Sequence, residues 1–131
     1  MSSFTVHLLA ADRSERIDGI TSFVGEDTSG SFGLLPHHAR FMTVLAFGLA
    51  RVRRADGTWE YLAFPGGLLY FVEGECRIST RRYLRDIDAT RIAAALSREL
   101  LEEEQALGET RRKLHRLEAE MLKQLVALGR E

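Results

Sequence analysis

The sequence predicts an all-β antiparallel sandwich, flattened and barrel-like, followed by a C-terminal antiparallel α-helical hairpin. The first observation is a change of composition near Tyr83: all eleven aromatic residues, both prolines and nine of the eleven glycines lie at or before it. The second is a change of apolar spacing, from alternation in short runs to steps of three and four. The Ala, Leu, Glu, Arg and Lys that dominate from Leu84 onward favour helices. We therefore predict a β-sandwich domain at residues 1–86 and a helical domain at 87–131.

The first half of the chain is typical of short strands separated by turns. Apolar alternation or turn-bounded apolar runs predict strands at 4–8, 17–24, 51–54, 59–62, 68–72 and 76–80. The strongest local signal is the Asp56-Gly57 pair, since Asp-Gly is a preferred hairpin turn. The clearest alternation selects one face of the last hairpin, made of Leu68, Tyr70, Val72, Cys76, Ile78 and Thr80.

The stretch 30–45 predicts a glycine-bounded entry, a short apolar strand, a proline turn and a second apolar strand. Gly30 and Gly33 permit backbone angles or close approaches that a side chain would block. Pro36 pushes Leu35 toward an extended conformation, so we expect a strand to end there. From Phe41 the chain is apolar again and predicts the next strand.

The second half predicts two amphipathic helices. Asp88 is a suitable N-cap for the first helix, and Gly108 stands where a helix-terminating glycine is expected. The apolar stripes are Ile92, Leu96, Leu100 and Leu107 on the first helix, and Leu114, Leu117, Met121, Leu125 and Leu128 on the second. A hairpin at Gly108 would bring Glu102–Glu104 against Arg111–Lys113, which offsets the unfavourable position of each cluster in its helix dipole.

Charge and cysteine content exclude several classes of function. The net charge of −1 argues against a nucleic-acid-binding protein, which would carry a basic surplus. Cys76 is the only cysteine, so no intrachain disulfide or multi-cysteine zinc site can form. No apolar run approaches the roughly 18 residues that span a bilayer, and no secretory signal is visible. We expect a soluble intracellular protein with no direct membrane insertion.

No constellation of catalytic residues is apparent. His37 and His38 are adjacent, but neighbours in an extended chain point apart and no cysteine or carboxylate stands at ligand spacing. The stretch 25–33 lacks the Gly-Lys-Ser/Thr ending of a phosphate-binding loop. The carboxylates of Asp86, Asp88 and Glu102–Glu104 fall on a predicted solvated helix. The sequence thus predicts neither a catalytic nor a metal site.

An ordered set of motifs resembles the epsilon subunit of F-type ATP synthases. The pattern Gly-x-x-Gly-(Ile/Leu)-x-Pro-x-His-Ala is matched by Gly30, Gly33, Leu34, Pro36, His38 and Ala39. Gly66-Gly67 and Ile87-Asp88-x-x-Arg91 follow in the expected order, so the resemblance covers nearly the whole chain. The Gly-Ser-Phe-Gly-Leu-Leu-Pro sequence at residues 30–36 also resembles the alternate synthases of the N-ATPase type, some of which are sodium-linked. Ser31, His37 and Arg40 depart from common family residues, and the transported ion, proton or sodium, stays open.

The resemblance implies a non-catalytic subunit of the central stalk that couples the gamma subunit to the c-ring in rotary ATP synthesis and ion transport. The subunit would lie at the cytoplasmic face of the bacterial plasma membrane, where the complex holds it. The residues implied in gamma or c-ring contact are Ser31, Phe32, His38, Phe41 and Met42.

The resemblance also implies a regulatory helical part. The helices would hinder ATP hydrolysis by reaching the alpha/beta catalytic head, and the basic candidates are Arg111, Arg112, Lys113 and Arg116. Some family members bind ATP at a motif that Ile87, Asp88 and Arg91 match here. Ile92 replaces the motif's alanine, and its branched side chain either crowds a nucleotide or belongs to the core. We therefore expect no required cofactor.

Two alternatives from other classes remain open at this point. The first is a stand-alone regulatory or ligand-binding β-sandwich whose helical tail dimerises through Leu114, Leu117, Met121 and Leu125. The second is a small metal-dependent enzyme of cupin type that uses His37 and His38. The oligomeric state would test the first alternative, and stoichiometric metal in the purified protein would test the second.

Overall fold

The computed structural model describes residues 2–129, with side chains described through Val126. Within these residues nine strands precede a long helical rod. The strands are β1 Phe4–Leu9, β2 Ser14–Asp27, β3 Gly30–Leu34, β4 Phe41–Leu45, β5 Gly48–Arg54, β6 Trp59–Phe64, β7 Gly67–Val72, β8 Glu75–Ser79 and β9 Leu84–Asp86. The rod is made of α1 Ala89–Ala95, a π-helical segment Leu96–Leu101 and α2 Glu102–Gly129.

Strand β2 is shared by both layers of the sandwich. It pairs with β1 near its start, and it pairs with β3 and β5 beyond Ile20. Gly19, at φ 68°, lies where the strand bends, and the register with β5 shifts between Ile20 and Ser22. The strand order is β1-β8-β7-β4-β2-β5-β6-β9, and β1 also pairs with β2. The strands β1, β8, β7, β4 and β2 therefore form a closed ring. The flattened, barrel-like sandwich is therefore confirmed. The β1–β8 pair is parallel, a feature that the sequence pattern does not indicate.

Two hydrophobic cores lie in the described part of the chain. The main core fills the sandwich, where Leu8, Phe23 and Phe71 are fully buried. A second core lies on the opposite face of β6, where Ala63 packs against Ile92 and Leu100 of the helical rod. The start of the rod is thus attached to the sandwich by apolar packing, which stabilises a fold mainly by removing apolar surface from water.

The face of strand β7 that packs on the core is opposite to the face that the alternation selected. Leu69 and Phe71 are fully buried, whereas Leu68 is 44% exposed and Tyr70 is half-buried. The β8 residues Cys76 and Ile78 are buried as predicted, and they pair with Phe71 and Leu69. Because cross-strand partners share a face, the buried β8 residues determine which β7 residues are buried.

The predicted helical hairpin is wrong, because the chain continues as one helical rod through Gly108. Gly108 lies inside α2, and its φ is not positive. A glycine in a helix interior costs about 1 kcal/mol relative to alanine. The residues on either side of Gly108 are strong helix formers, so the helix tolerates this cost. Leu128, on the predicted second stripe, lies outside the residues whose side chains are described, and the predicted domain end at 131 lies outside the described residues.

Candidate interaction surface

The β3–β4 connection forms an exposed loop at one end of the sandwich. The His38 amide donates to the Leu35 carbonyl at 3.1 Å, which closes the turn around Pro36. His37 adopts φ 68°, a left-handed conformation that is uncommon outside glycine. The His38 ring packs edge-on against Phe41 at 5.7 Å between ring centroids. Local contacts thus fix the conformation of this loop.

The predicted contact residues divide between support and exposure. Phe32 and Phe41 are partly buried, and their ring centroids lie 5.3 Å apart against the main core. Ser31 is exposed on β3 opposite Glu26, and Met42 is 60% exposed on β4. The structure therefore brings Phe32, Phe41 and the His38 ring together, and it leaves Ser31 and Met42 facing solvent on their own strands.

An exposed apolar stripe crosses the outer face of β4 and β7. Met42 pairs with Tyr70 and Val44 pairs with Leu68, so the four residues are cross-strand neighbours on one face. Val44 is 64% exposed and Leu68 is 44% exposed. We name these four residues the β4–β7 stripe. Among them the sequence predicted only Met42 as a contact residue, although Met42 and Val44 alternate along the strand and so share a face.

The β4–β7 stripe is bordered by polar residues on the neighbouring strand. Arg77 of β8 pairs with Tyr70, and Ser79 pairs with Leu68. The exposed Arg77 guanidinium lies 3.2 Å from the Glu75 carboxylate. An apolar centre with a polar border is the usual anatomy of a protein–protein interface.

The Ile-Asp-x-x-Arg segment begins the helical rod. Asp88 accepts a hydrogen bond from the Arg91 amide at 3.0 Å, so the predicted N-cap is confirmed. The Arg91 guanidinium donates twice to the Asp86 carboxylate, each time at 2.6 Å, and this lowers the pKa of Asp86 to about 2. Ile92 is only 1% exposed and belongs to the second core, whereas Ile87 is 75% exposed. Arg91 is therefore already held by a carboxylate of this chain.

The basic candidates lie on α2, away from the acidic residues with which they were expected to pair. Arg111, Arg112, Lys113 and Arg116 are all exposed. The predicted pairing of Glu102–Glu104 with Arg111–Lys113 is wrong, since Glu103 pairs with Arg82 and Glu104 with Arg81. In a continuous helix, residues nine positions apart lie more than two turns from each other and do not meet.

A partly buried polar network joins β2, β5, β6 and β9. Glu60, 5% exposed, accepts hydrogen bonds from Arg54 at 2.6 Å and from Arg85 at 2.7 Å. Desolvation would raise the pKa of Glu60, but the hydrogen bonds from the two arginines lower it below its ordinary value. Arg85 also contacts Glu15, which accepts from the Tyr83 hydroxyl at 2.6 Å. Burial and this bond raise the pKa of Tyr83 to about 12. Both partners of each pair belong to this chain and are already hydrogen-bonded to each other, which is typical of a structural role.

The histidine pair does not converge on one point. The His37 Nε2 atom lies 3.0 Å from the Ser2 hydroxyl, whereas His38 Nδ1 donates to the Ala39 carbonyl at 2.7 Å. Across residues 2–129, no group of three or more His, Cys, Asp or Glu side chains is placed to hold a metal ion. In the same range, no helix combines the length and apolar character that a membrane crossing requires.

Comparisons with known proteins identify the fold and the family. The sequence model of the ATP synthase delta/epsilon chain β-sandwich domain matches residues 3–86. The ATP synthase epsilon chain 2 of Cereibacter sphaeroides is 34% identical over 110 residues, which cover 83% of this chain and 75% of that one. The ATP synthase epsilon chain of Prochlorococcus marinus strain MIT 9313 is 33% identical over 99 residues, covering 72% of this chain and 71% of that one.

Solved structures agree with this assignment at the level of the fold. A chain in the cryo-EM structure of the Euglena gracilis mitochondrial ATP synthase, OSCP/F1/c-ring, superposes with a TM-score of 0.61 at 22% identity. That match covers 81% of this chain and 66% of that one. A chain of the Tetrahymena thermophila mitochondrial ATP synthase central stalk and c-ring gives 0.53 at 15% identity, over 64% of this chain and 69% of that one. The matched domain and the identities to epsilon chains show that this chain belongs to the ATP synthase delta/epsilon family.

Proposed function

We propose that this chain is the epsilon subunit of the central stalk of an F-type ATP synthase and that it catalyses no reaction itself. In this role the sandwich holds the gamma subunit to the c-ring and transmits torque between them during rotary ATP synthesis or ion transport. A close-packed two-layer core suits this task, because protein interiors have low compressibility and transmit strain. The subunit would lie at the cytoplasmic face of a bacterial plasma membrane, attached through the complex.

The observation that carries this proposal is the β4–β7 stripe. Its members include Met42 and Val44, which are 60% and 64% exposed on a rigid sheet face. Contiguous apolar surface on a folded domain is typical of interaction sites. An antiparallel sheet in a sandwich ordinarily gives polar residues to its outer face. The stripe departs from that rule, and we assign it to the gamma subunit.

We assign the c-ring contact to the loop at residues 35–40. Leu35 is 61% exposed at this loop, beside the exposed His37, His38 and Arg40. A cavity of about 510 Å³ lies between the loop and the β7–β8 turn at Glu73. The loop precedes β4 and the stripe lies on β4 and β7, so the two proposed contacts use different residues.

The exposed part of α2 supports a regulatory role. Arg111, Arg112, Lys113 and Arg116 project from a helix that is exposed over nearly all of residues 105–126. We propose that this basic face meets acidic surface on the alpha/beta catalytic head and hinders ATP hydrolysis. Because Arg91 is already paired with Asp86, we propose no nucleotide as a required ligand.

Co-purification of the full-length, tagged chain with the gamma subunit tests the main proposal. We expect Met42→Glu combined with Val44→Glu to weaken gamma binding at least about tenfold, because an interface centre loses affinity when a charge is buried in it. The matched control is Leu122→Glu combined with Val126→Glu, two apolar-to-acidic changes on α2 at side chains that are 63% and 54% exposed. Failure of the wild-type chain to retain gamma would overturn the function, whereas unchanged binding by the double variant would overturn the assignment of the stripe.

One observation favours a second candidate function, self-association through α2. Leu114, Leu117, Met121 and Leu125 are 54–62% exposed at helical spacing. Such a stripe can pair with the same stripe of a second copy. Light scattering on the isolated chain decides this: a dimer that Leu117→Glu converts to a monomer supports self-association, and a monomeric wild-type chain excludes it.

A further inference from the structure

Five charged side chains connect the sandwich to the helical rod at the point where the rod leaves it. Arg82 Nη2 lies 2.9 Å from the Glu99 carboxylate, and the same guanidinium donates to Glu103. Arg81 Nη2 lies 2.5 Å from the Glu104 carboxylate. Both arginines belong to the β8–β9 connection, and the three glutamates lie along one side of the rod. We name these five residues the clasp.

We propose that the clasp fixes the direction in which α2 leaves the sandwich, and that the π-helical segment Leu96–Leu101 is the hinge about which α2 turns when the clasp opens. This inference concerns a conformational device of the isolated chain and stands independently of the function proposed above.

The clasp lies where the rod parts from the sandwich. The rod is buried against the sandwich at Ile92 and Leu100. Beyond Glu104, among the residues whose side chains are described, no ion pair or hydrogen bond connects α2 to the sandwich. The clasp therefore holds the last attached turn of the rod. A constraint at this turn sets the direction of everything that follows.

The helix geometry changes at the clasp. Residues Leu96–Leu101 form a π-helical segment between α1 and α2. A π-turn is wider than an α-turn, is rare and is often found at functional sites. Leu100, which is fully buried, lies in this segment and anchors it to the second core, while Glu99 in the same segment belongs to the clasp. The hinge and its restraint thus occupy the same turn.

The ion pairs of the clasp are weak enough to open. Its side chains are 35–46% exposed, so each ion pair is weak and is screened by salt. Three weak pairs that act together give a contact that holds at low ionic strength and opens when charges compete for it. An apolar contact of the same size would not be weakened by added salt or by a competing charged surface.

Pulsed electron paramagnetic resonance between two nitroxide labels tests the clasp in the full-length chain. The labels are placed at Ala55→Cys, in the β5–β6 turn, and at Ala119→Cys, on α2, because both positions are exposed. The native Cys76 is fully buried and does not take the label. For the wild-type clasp at low salt we expect one narrow distance distribution.

Opening the clasp should broaden that distribution. With Arg81→Gln and Arg82→Gln together, we expect the ratio of clasped to open molecules to fall about tenfold. Raising the salt to about 1 M, where the Debye length is about 3 Å, should have the same effect on the wild-type clasp and little further effect on the double variant. The matched control is Arg77→Gln, which removes an exposed arginine that pairs within β8. Arg82→Glu alone should broaden the distribution. Adding Glu99→Arg and Glu103→Arg to it exchanges the charges of these pairs and should make the distribution narrow again.

Two results would overturn the proposal. One is a wild-type distribution that is already broad at low salt. The other is a narrow distribution that neither salt nor the double substitution changes. If the double variant does not fold, as Trp59 fluorescence would report, the salt titration of the wild-type clasp decides alone. Gamma binding is measured separately, so a failed clasp and a failed central-stalk assignment are distinguishable.

Discussion

The Glu60 carboxylate accepts a hydrogen bond from the Arg85 guanidinium at 2.7 Å, although the Glu60 side chain is only 6% exposed. This contact ties β6 to β9, the strand that leads directly into the helical rod. A buried ion pair contributes little when compared with a well-packed apolar pair, but the loss of one partner leaves an uncompensated charge. The attachment of β9 therefore depends on both residues being present.

Removal of the Glu60 carboxylate should destabilise the sandwich. We expect Glu60→Ala to lower the free energy of unfolding by about 3 kcal/mol, because Arg85 loses its most buried partner. Glu26→Ala is the control, since Glu26 is exposed and its side chain makes no ion pair among the described residues; its effect should stay within about 0.5 kcal/mol. Urea unfolding measures both values. Equal effects of the two substitutions would show that the network does not stabilise the fold.

The same carboxylates predict a loss of stability in acid. The pKa values of Glu60 and Glu15 lie below their ordinary value of 4.5, and that of Asp86 falls from 3.8 to about 2. A group with a lowered pKa in the folded state stabilises the fold above its unfolded-state pKa, and the stabilisation is lost as the pH falls through the folded-state pKa. The free energy of unfolding should thus be level between about pH 5 and pH 8 and should fall between pH 4.5 and 2. A shallower decline in Glu60→Gln would identify Glu60 as a source, and a curve level down to pH 3 would contradict the prediction.

Local signals in the sequence predicted local structure well. The Asp56-Gly57 turn forms as expected, because Gly57 has φ 89° and the Asp56 carboxylate accepts from the Thr58 amide. The N-cap at Asp88 was predictable for the same reason, since the capping bond reaches only three residues ahead. Both features depend on neighbours in the chain, which a sequence displays directly.

Features that depend on distant partners were not predictable. All five residues from Leu68 to Val72 are apolar, so alternation alone could not select the buried face of β7. That face is set by the β8 partners of Leu69 and Phe71. The pairing of Arg82 with Glu99 and Glu103 joins elements that meet only after the second core has formed. Val44 and Leu68 were not predicted as contact residues, because they become neighbours only through the register between β4 and β7.

Gly67 should tolerate no side chain. A Cβ atom at this position would lie 2.7 Å from the Ser79 carbonyl oxygen, and a backbone atom cannot move aside cheaply. We expect Gly67→Ala to lower the free energy of unfolding by about 2 kcal/mol through overpacking. Gly48→Ala is the matched control, because no atom lies within 4 Å of a Cβ there and the φ of Gly48 is not positive. Thermal unfolding of the two variants should separate them; a Gly67→Ala variant as stable as the control would show that β7 and β8 can move apart.

Gly108 distinguishes a continuous helix from a helical hairpin by the sign of one substitution. In the continuous helix, Gly108→Ala removes a helix-interior glycine from open space and should stabilise α2 by about 1 kcal/mol. In a hairpin that turns through a left-handed glycine, the same substitution would cost about 1 kcal/mol and would reduce the helix content. Ala106→Gly, an exposed change two residues earlier in the same helix, should lower the helix content by as much as Gly108→Ala raises it. Far-ultraviolet circular dichroism measures the helix content of the full-length wild-type chain and of both variants. A loss of helix in Gly108→Ala would contradict the continuous helix and favour the hairpin.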